Sequence, residues 1–207
     1  MKNLKLTNEL NIKGMILDKQ QLEKYLEKIA SNHNIIQNSD KNTFPINALK
    51  GNFEFITKTY HLLDEHINLK IPIHPAGEWL LDNYYIIEET VKTVCKELTL
   101  KKYKNLIGLE NGPYQGYARI YVLASEIIAY TDNKIDSENL KDFLIAYQNK
   151  KYLSMEEIWS IQLFMQIAII KNIREICEKI YASQIQKYKV ESIIERIIEK
   201  NDKKNRK

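Results

Sequence analysis

The stretch Leu80-Leu81-Asp82-Asn83-Tyr84-Tyr85-Ile86-Ile87-Glu88-Glu89-Thr90-Val91-Lys92-Thr93-Val94-Cys95-Lys96-Glu97-Leu98 decides the fold class. Within it Leu80, Tyr84, Ile87, Val91, Val94 and Leu98 recur at spacings of four, three, four, three and four, the repeat of one helix face. A half-buried strand would alternate apolar and polar residues at every second position, and no such run occurs in the chain. The spacing predicts a helix over 76–98 with a narrow seam turned to a partner helix. Pro75 suits its first turn, where a missing N–H costs nothing.

The same period extends outward in both directions. Upstream, Leu49, Phe53, Ile56, Tyr60 and Leu63 mark a helix over 46–67, and Leu22, Leu26 and Ile29 mark a first one running to about Ile36. Between them Asn38-Ser39-Asp40-Lys41-Asn42 reads as a turn, and Pro45 restarts the chain. Downstream, Gly108, Gly112, Pro113 and Gly116 fall within nine positions and predict a loop. Helices follow over about 115–130 and 136–148. A sixth opens on the capping box Ser154-Met155-Glu156-Glu157, in which serine and glutamate satisfy each other's orphan N–H groups. Its pattern extends to Glu199, far beyond an ordinary globular helix, so a break is expected near Ala182–Tyr188. The fourth helix is apolar nearly all round, and the sixth is similar over Ile158–Ile170, which places both at the centre of the bundle. The expectation is an all-α fold: a helical bundle of about six helices with a C-terminal helical extension. Its parts are a mobile N-terminus over 1–18, a helical domain over 19–182, and a helical extension with a basic tail over 183–207.

Composition agrees. The 207 residues fall below the roughly 250–300 at which single cores split. At 44% hydrophobic and 28% charged, the chain has ordinary globular usage, which excludes wholesale disorder. Six Gly and four Pro are too few for a turn-dense β-sandwich, and two Cys exclude a disulfide scaffold and fit reduced thiols. The net charge of +4 is spread along the chain, and only Arg119, Arg174, Arg196 and Arg206 are arginines. The run Lys203-Lys204-Asn205-Arg206-Lys207 reads as a solubilising tail, so no nucleic-acid partner is expected. The most apolar stretch, Ile158–Ile170, contains Gln162 and Gln166 and falls short of the about 20 residues a membrane span needs.

Candidate chemistry is sparse. Glu78, Asp82, Tyr85 and Glu89 share one stripe of the third helix, and Glu78 and Asp82 could hold two carboxylates about 6 Å apart. Glycoside hydrolases set two carboxylates on opposite sides of a sugar, which neighbours on one helix cannot do. The stripe therefore reads as a solvated face, or as an acid paired with a neighbour's cation. Arg119, on the central fourth helix, must find a carboxylate or carbonyls if buried. Glu126 shares its face about 10 Å away, so Glu78 or Asp82 is the preferred partner. The functional alternative is an Arg119 clamp on a phosphate or acidic ligand beside the Gly112–Gly116 loop, which lacks the Lys-Ser/Thr of a P-loop.

His61 and His66 are five apart, His33 and His74 stand alone, and no zinc or triad pattern is present. Cys95 and Cys177 read as small core residues. Trp159, Tyr147 and Tyr114 could stack on a sugar, although aromatics at helical spacing are more often core. No Asp-x-Asp or Gln-x-x-Arg-Trp of a sugar-nucleotide transferase occurs. No catalytic residue, metal or cofactor is assigned. Glu78, Asp82, Arg119, Glu126 and Trp159 stand as candidates for a polar network or ligand contact.

Three ordered blocks carry a family resemblance. They are His74-Pro75-Ala76-Gly77-Glu78-Trp79-Leu80-Leu81-Asp82-Asn83-Tyr84-Tyr85-Ile86-Ile87-Glu88-Glu89, then Gly112-Pro113-Tyr114-Gln115-Gly116-Tyr117-Ala118-Arg119-Ile120-Tyr121 running on to Ala129-Tyr130-Thr131-Asp132, then Phe143 to Gln148 with Glu157-Ile158-Trp159 and Ile170-Lys171-Asn172-Ile173. Over about residues 20–182 the chain resembles the N-terminal region of cyclic β-1,2-glucan synthases. The resemblance implies a non-catalytic structural or docking module whose partners are the remaining domains of an inner-membrane protein. In that family a transferase using UDP-glucose and a family-94 glycoside phosphorylase-like domain lie downstream. It leaves open a free-standing module that binds an oligosaccharide or a nucleotide sugar, with glucan or UDP-glucose as ligand. A fragment of this kind would be cytoplasmic. The chain departs from the family at Ala118, where Pro is expected, and at Gln162 and Gln166, where Pro and Arg are expected. Tyr103–Ile107 has drifted from a Tyr-Arg-x-Leu-Pro-like pattern.

Overall fold

The Asp18 carboxylate accepts the Gln21 N–H at 2.8 Å, and the Asp18 N–H donates to the Gln21 side chain at 3.2 Å. This reciprocal cap starts α1 (Lys19–Asn32). The computed structural model describes residues 15–37 and 44–205. Within them follow β1 (Ile35–Ile36), α2 (Ile46–Asn68), α3 (Pro75–Glu97), α4 (Leu100–Asn105), β2 (Gly108–Leu109), α5 (Arg119–Tyr130), α6 (Ser137–Gln148) and α7 (Met155–Asn205). The class is all-α with a long C-terminal helix. The expected turn at Asn38–Asn42 and most of the mobile N-terminus placed at 1–18 lie outside the described residues.

Three local features differ from expectation. Ile35 and Ile36 leave α1 and pair antiparallel with Leu109 and Gly108, so the first helix stops at Asn32. Thr99 caps the short α4 by accepting the Lys102 N–H, a helix the apolar spacing did not reveal. The third difference is α7, one continuous helix of 51 residues without the break expected near Ala182–Tyr188. No Gly or Pro follows Gly116, so nothing in the backbone stops it.

The chain packs as two compact units, one from residues up to 50 and 90–171, the other from 51–89 and 172 onward. In the first, every residue from Arg119 to Ile128 is buried, which bears out a central α5. α1 packs along α6, bringing Leu22, Leu26 and Ala30 together with Phe143, Ala146 and Tyr147 in the buried set. Each fully buried Leu or Phe contributes about 1.5–3 kcal/mol. The start of α7 buries Ile161, Phe164, Ile167 and Ile170 but exposes Trp159 and Gln162. It is therefore amphipathic, and the expectation of a helix enclosed on all sides is corrected.

In the second unit the α3 seam meets α2. Tyr84 stacks on Tyr60 with ring centroids 4.1 Å apart and on Phe53 at 5.9 Å, while its hydroxyl lies 2.9 Å from Thr57 Oγ1. Leu80 and Ile87 are buried with Ile56 and Leu63 of α2. The Gln184 amide nitrogen of α7 is buried, donates to the Pro72 carbonyl at 3.2 Å and lies 3.2 Å from His66 Nδ1. Within the segment read as a helix break, Gln184 thus makes a packed contact while most of its neighbours are exposed.

Candidate functional site

The glycine-rich loop positions the first polar cluster. Gly108 bridges Ala118, the Leu109 N–H donates to the Tyr117 carbonyl at 3.0 Å, and the Arg119 N–H donates to the Ile107 carbonyl at 2.9 Å. Gly112 and Gly116 hold φ of +81° and +82°, a left-handed conformation that favours glycine. The folded-back loop delivers Arg119 as the first residue of α5.

Arg119 is fully buried. Its Nε donates to Glu157 Oε1 at 2.9 Å, and one terminal nitrogen donates to Glu157 Oε2 at 2.5 Å and to the Tyr152 carbonyl at 3.0 Å. The same Glu157 Oε2 accepts the Ser154 N–H at 2.8 Å, and the Glu157 N–H donates to Ser154 Oγ at 3.3 Å. One carboxylate therefore closes the capping box of α7 and neutralises the guanidinium at the start of α5. Burial works against the Arg119 charge, yet the Glu157 carboxylate outweighs it and holds the guanidinium above its ordinary pKa. The other terminal nitrogen of Arg119 is buried with no hydrogen-bond partner among the described residues, and the Tyr147 ring lies 5.9 Å from the guanidinium carbon.

This corrects the expected pairing. Arg119 bonds Glu157, not Glu78 or Asp82, which lie exposed on α3 with Tyr85 and Glu89. The sequence does contain Glu157, but in the role of a cap. A capping glutamate has lone pairs left after its backbone bond, and the absence of a local partner for Arg119 was the signal that could have joined the two.

A second cluster surrounds Glu126. The Tyr25 hydroxyl donates to Glu126 Oε2 at 3.0 Å, and the Tyr130 hydroxyl reaches Tyr25 at 3.5 Å. No cation pairs with this carboxyl among the described residues, and burial pushes it up to about 7. Glu126 lines an open cleft of about 380 Å³ between α1 and the glycine loop, together with Tyr25, His33, Asn111 and Tyr114. His33 Nδ1 lies 2.9 Å from the Tyr147 hydroxyl, and the Lys151 ammonium donates to the His33 carbonyl. Burial first, then the charges of Arg119 and Lys151, hold the imidazole down to about 4, so it is neutral near pH 7.

The sequence-derived candidates thus separate. Arg119 joins Glu157, Glu126 joins Tyr25 at the cleft, and Glu78 and Asp82 remain on α3. Trp159 is 73% exposed and borders a different groove, about 220 Å³, with Leu98, Leu106 and Leu163. Of the aromatics weighed for sugar stacking, Tyr147 is core and Tyr114 lines the Glu126 cleft. Sequence reasoning missed Tyr25, His33 and Asn111, whose proximity depends on the β1–β2 pairing. Among the described residues no group of three or more His, Cys, Asp or Glu could hold a metal ion, and no helix is long and apolar enough to cross a membrane.

No family model matches the chain. It is similar to the cyclic beta-(1,2)-glucan synthase NdvB of Rhizobium meliloti (strain 1021), at 25% identity over 154 residues, or 74% of this chain. The likeness to NdvB supports a relation to the glucan synthases, a carbohydrate-active family. The chain spans 5% of the length of NdvB, a far longer protein.

Proposed function

We propose that this chain is a non-catalytic helical module of a glucan synthase-like carbohydrate-active protein, structuring and docking against domains that carry out glucosyl transfer. The observation that supports this most is the extent of the NdvB match, which covers 74% of the chain while representing 5% of the relative. The internal chemistry agrees with it. Arg119 and Glu157, both within the blocks of family resemblance, bond each other in the core, and neither is exposed. The exposed Glu78 and Asp82 share one helix face, a geometry unsuited to holding two acids across a glycosidic bond.

The test is an assay of UDP release and glucose transfer by the purified chain supplied with UDP-glucose. No turnover above a buffer control is expected, and clear turnover would overturn the reading. In a complementary experiment, the matching segment of NdvB is exchanged for this chain. Retained glucan synthesis supports the module role.

A further inference from the structure

Glu126 is a buried carboxyl with no cation paired to it among the described residues. Its residue is 4% exposed, one oxygen takes the Tyr25 hydroxyl, and the other has no hydrogen bond within the described chain. That carboxyl belongs to a residue lining an open cleft, where its remaining lone pairs can take hydrogen bonds from a ligand. The remaining polar lining is built from hydrogen-bonding groups that carry no full charge. Asn32 and Asn111 each offer an amide with both donor and acceptor, neither engaged with another described residue, and His33 is held neutral. Tyr25 and Tyr114 add aromatic surface, and Pro113 and Gly112 form the loop wall. The cleft volume of about 380 Å³ lies within the roughly 300–1,000 Å³ of small-ligand sites.

We infer that this cleft binds a neutral, hydroxyl-rich ligand, a glucosyl unit of an oligosaccharide, with Glu126, Asn32 and Asn111 bonding its hydroxyls and Tyr114 and Tyr25 packing on its apolar faces. The carbohydrate class rests on the relation to glucan synthases proposed above. The lining itself decides between the two kinds of sugar ligand. Among the described residues no Lys or Arg lines the cleft, and Glu126 would oppose an anion, so the diphosphate of a nucleotide sugar meets no counter-charge from them. A ligand ammonium would satisfy Glu126 but would leave the amide donors of Asn32 and Asn111 unused. A sugar hydroxyl both donates and accepts, and so matches every polar group of the wall.

The experiment is a titration of the ¹⁵N-labelled chain with a short linear β-1,2-linked glucose oligomer, with UDP-glucose and with ethanolamine in parallel. Saturable shift changes at Tyr25, Asn32, Asn111, Tyr114 and Glu126 are expected with the glucose oligomer. Binding should weaken about tenfold or more in Asn111→Ala and Tyr114→Ala. The same affinity is expected in Trp159→Ala. Glu126→Gln should also weaken binding, and the exposed Asn111→Ala keeps the test decisive if the buried variant fails to fold. Absent saturation, changes confined to the Trp159 groove, tighter binding of UDP-glucose, or binding of ethanolamine alone would each overturn the inference. None of these results bears on turnover, so the module reading stands or falls separately on the transfer assay.

Discussion

Arg119 and Glu157 lie 38 positions apart and share two hydrogen bonds at 2.9 and 2.5 Å, with both side chains fully buried. Replacing one partner strands the other charge in the core, which costs about 3–5 kcal/mol. Arg119→Met should therefore lower the urea midpoint by an amount corresponding to that range, followed by far-UV circular dichroism. The double variant Arg119→Met, Glu157→Leu should be more stable than Arg119→Met, because no charge is then left unpaired. A double variant as unstable as the sum of the singles would mean the two groups act independently.

Two groups near the cleft titrate in opposition. Glu126 is raised to about 7 in the fold, so its contribution is full below its unfolded pKa near 4.5 and is lost as pH rises through 7. His33 is lowered to about 4 from 6.5, so its contribution is full above 6.5 and is lost as pH falls toward 4. Each limb is on the order of 3 kcal/mol, and they offset each other between about pH 4.5 and 6.5. Glu126→Gln should expose the histidine limb, with stability falling as pH drops through this window. His33→Gln should expose the reverse slope. Denaturant midpoints measured at several pH values check both, and unchanged slopes in the two variants would refute the assignment.

Two helical glycines of the second unit should respond with opposite signs. A Cβ on Gly77 would meet the Leu63 methyls at 3.1 and 3.2 Å, whereas one on Gly51 meets nothing within 4 Å. Gly51→Ala should stabilise by about 0.5–1 kcal/mol through helix propensity alone. Gly77→Ala should destabilise by about 1–2 kcal/mol, since overpacking outweighs that gain. Thermal melts of the two variants decide it, and stabilisation by both would show that Leu63 yields freely.

Cys177 is buried, and burial pushes its thiol up to about 11, so little thiolate forms at neutral pH. Iodoacetamide at pH 8 should leave Cys177 unmodified in the native chain and alkylate it once urea unfolds the protein. Peptide mass spectrometry reads this directly. Rapid native labelling of Cys177 would contradict the packing of this part of α7.

The helices of this chain were legible because their apolar residues repeat with the helical period, and Leu80, Ile87, Val91, Val94 and Leu98 of the predicted seam are buried while Tyr84 is half-buried. The buried α5 was legible for the same reason. The continuity of α7 was not, because Gln184 looks like surface in a list of residues and becomes core only through Pro72 and His66. The candidate site was legible in part. Arg119 and Glu126 stood out as charges on an apolar helix, but their partners Glu157 and Tyr25 are 38 and 101 positions away. Such pairings are set by tertiary packing, and no local pattern records them. Asn111 and His33 line one cleft, and they follow or precede the paired β1 and β2 by only two residues.

The sharing of Glu157 between the α7 cap and Arg119 also orders events in time. Arg119 is translated first, on a segment that buries every residue of its next two turns. Until residue 157 has been made, this segment carries a guanidinium without its carboxylate, and α5 cannot close into its final surroundings without leaving that charge desolvated. The first turn of α7 and the burial of α5 are consequently completed in one step. A chain in which the start of α7 has yet to dock leaves its most apolar helix open to water.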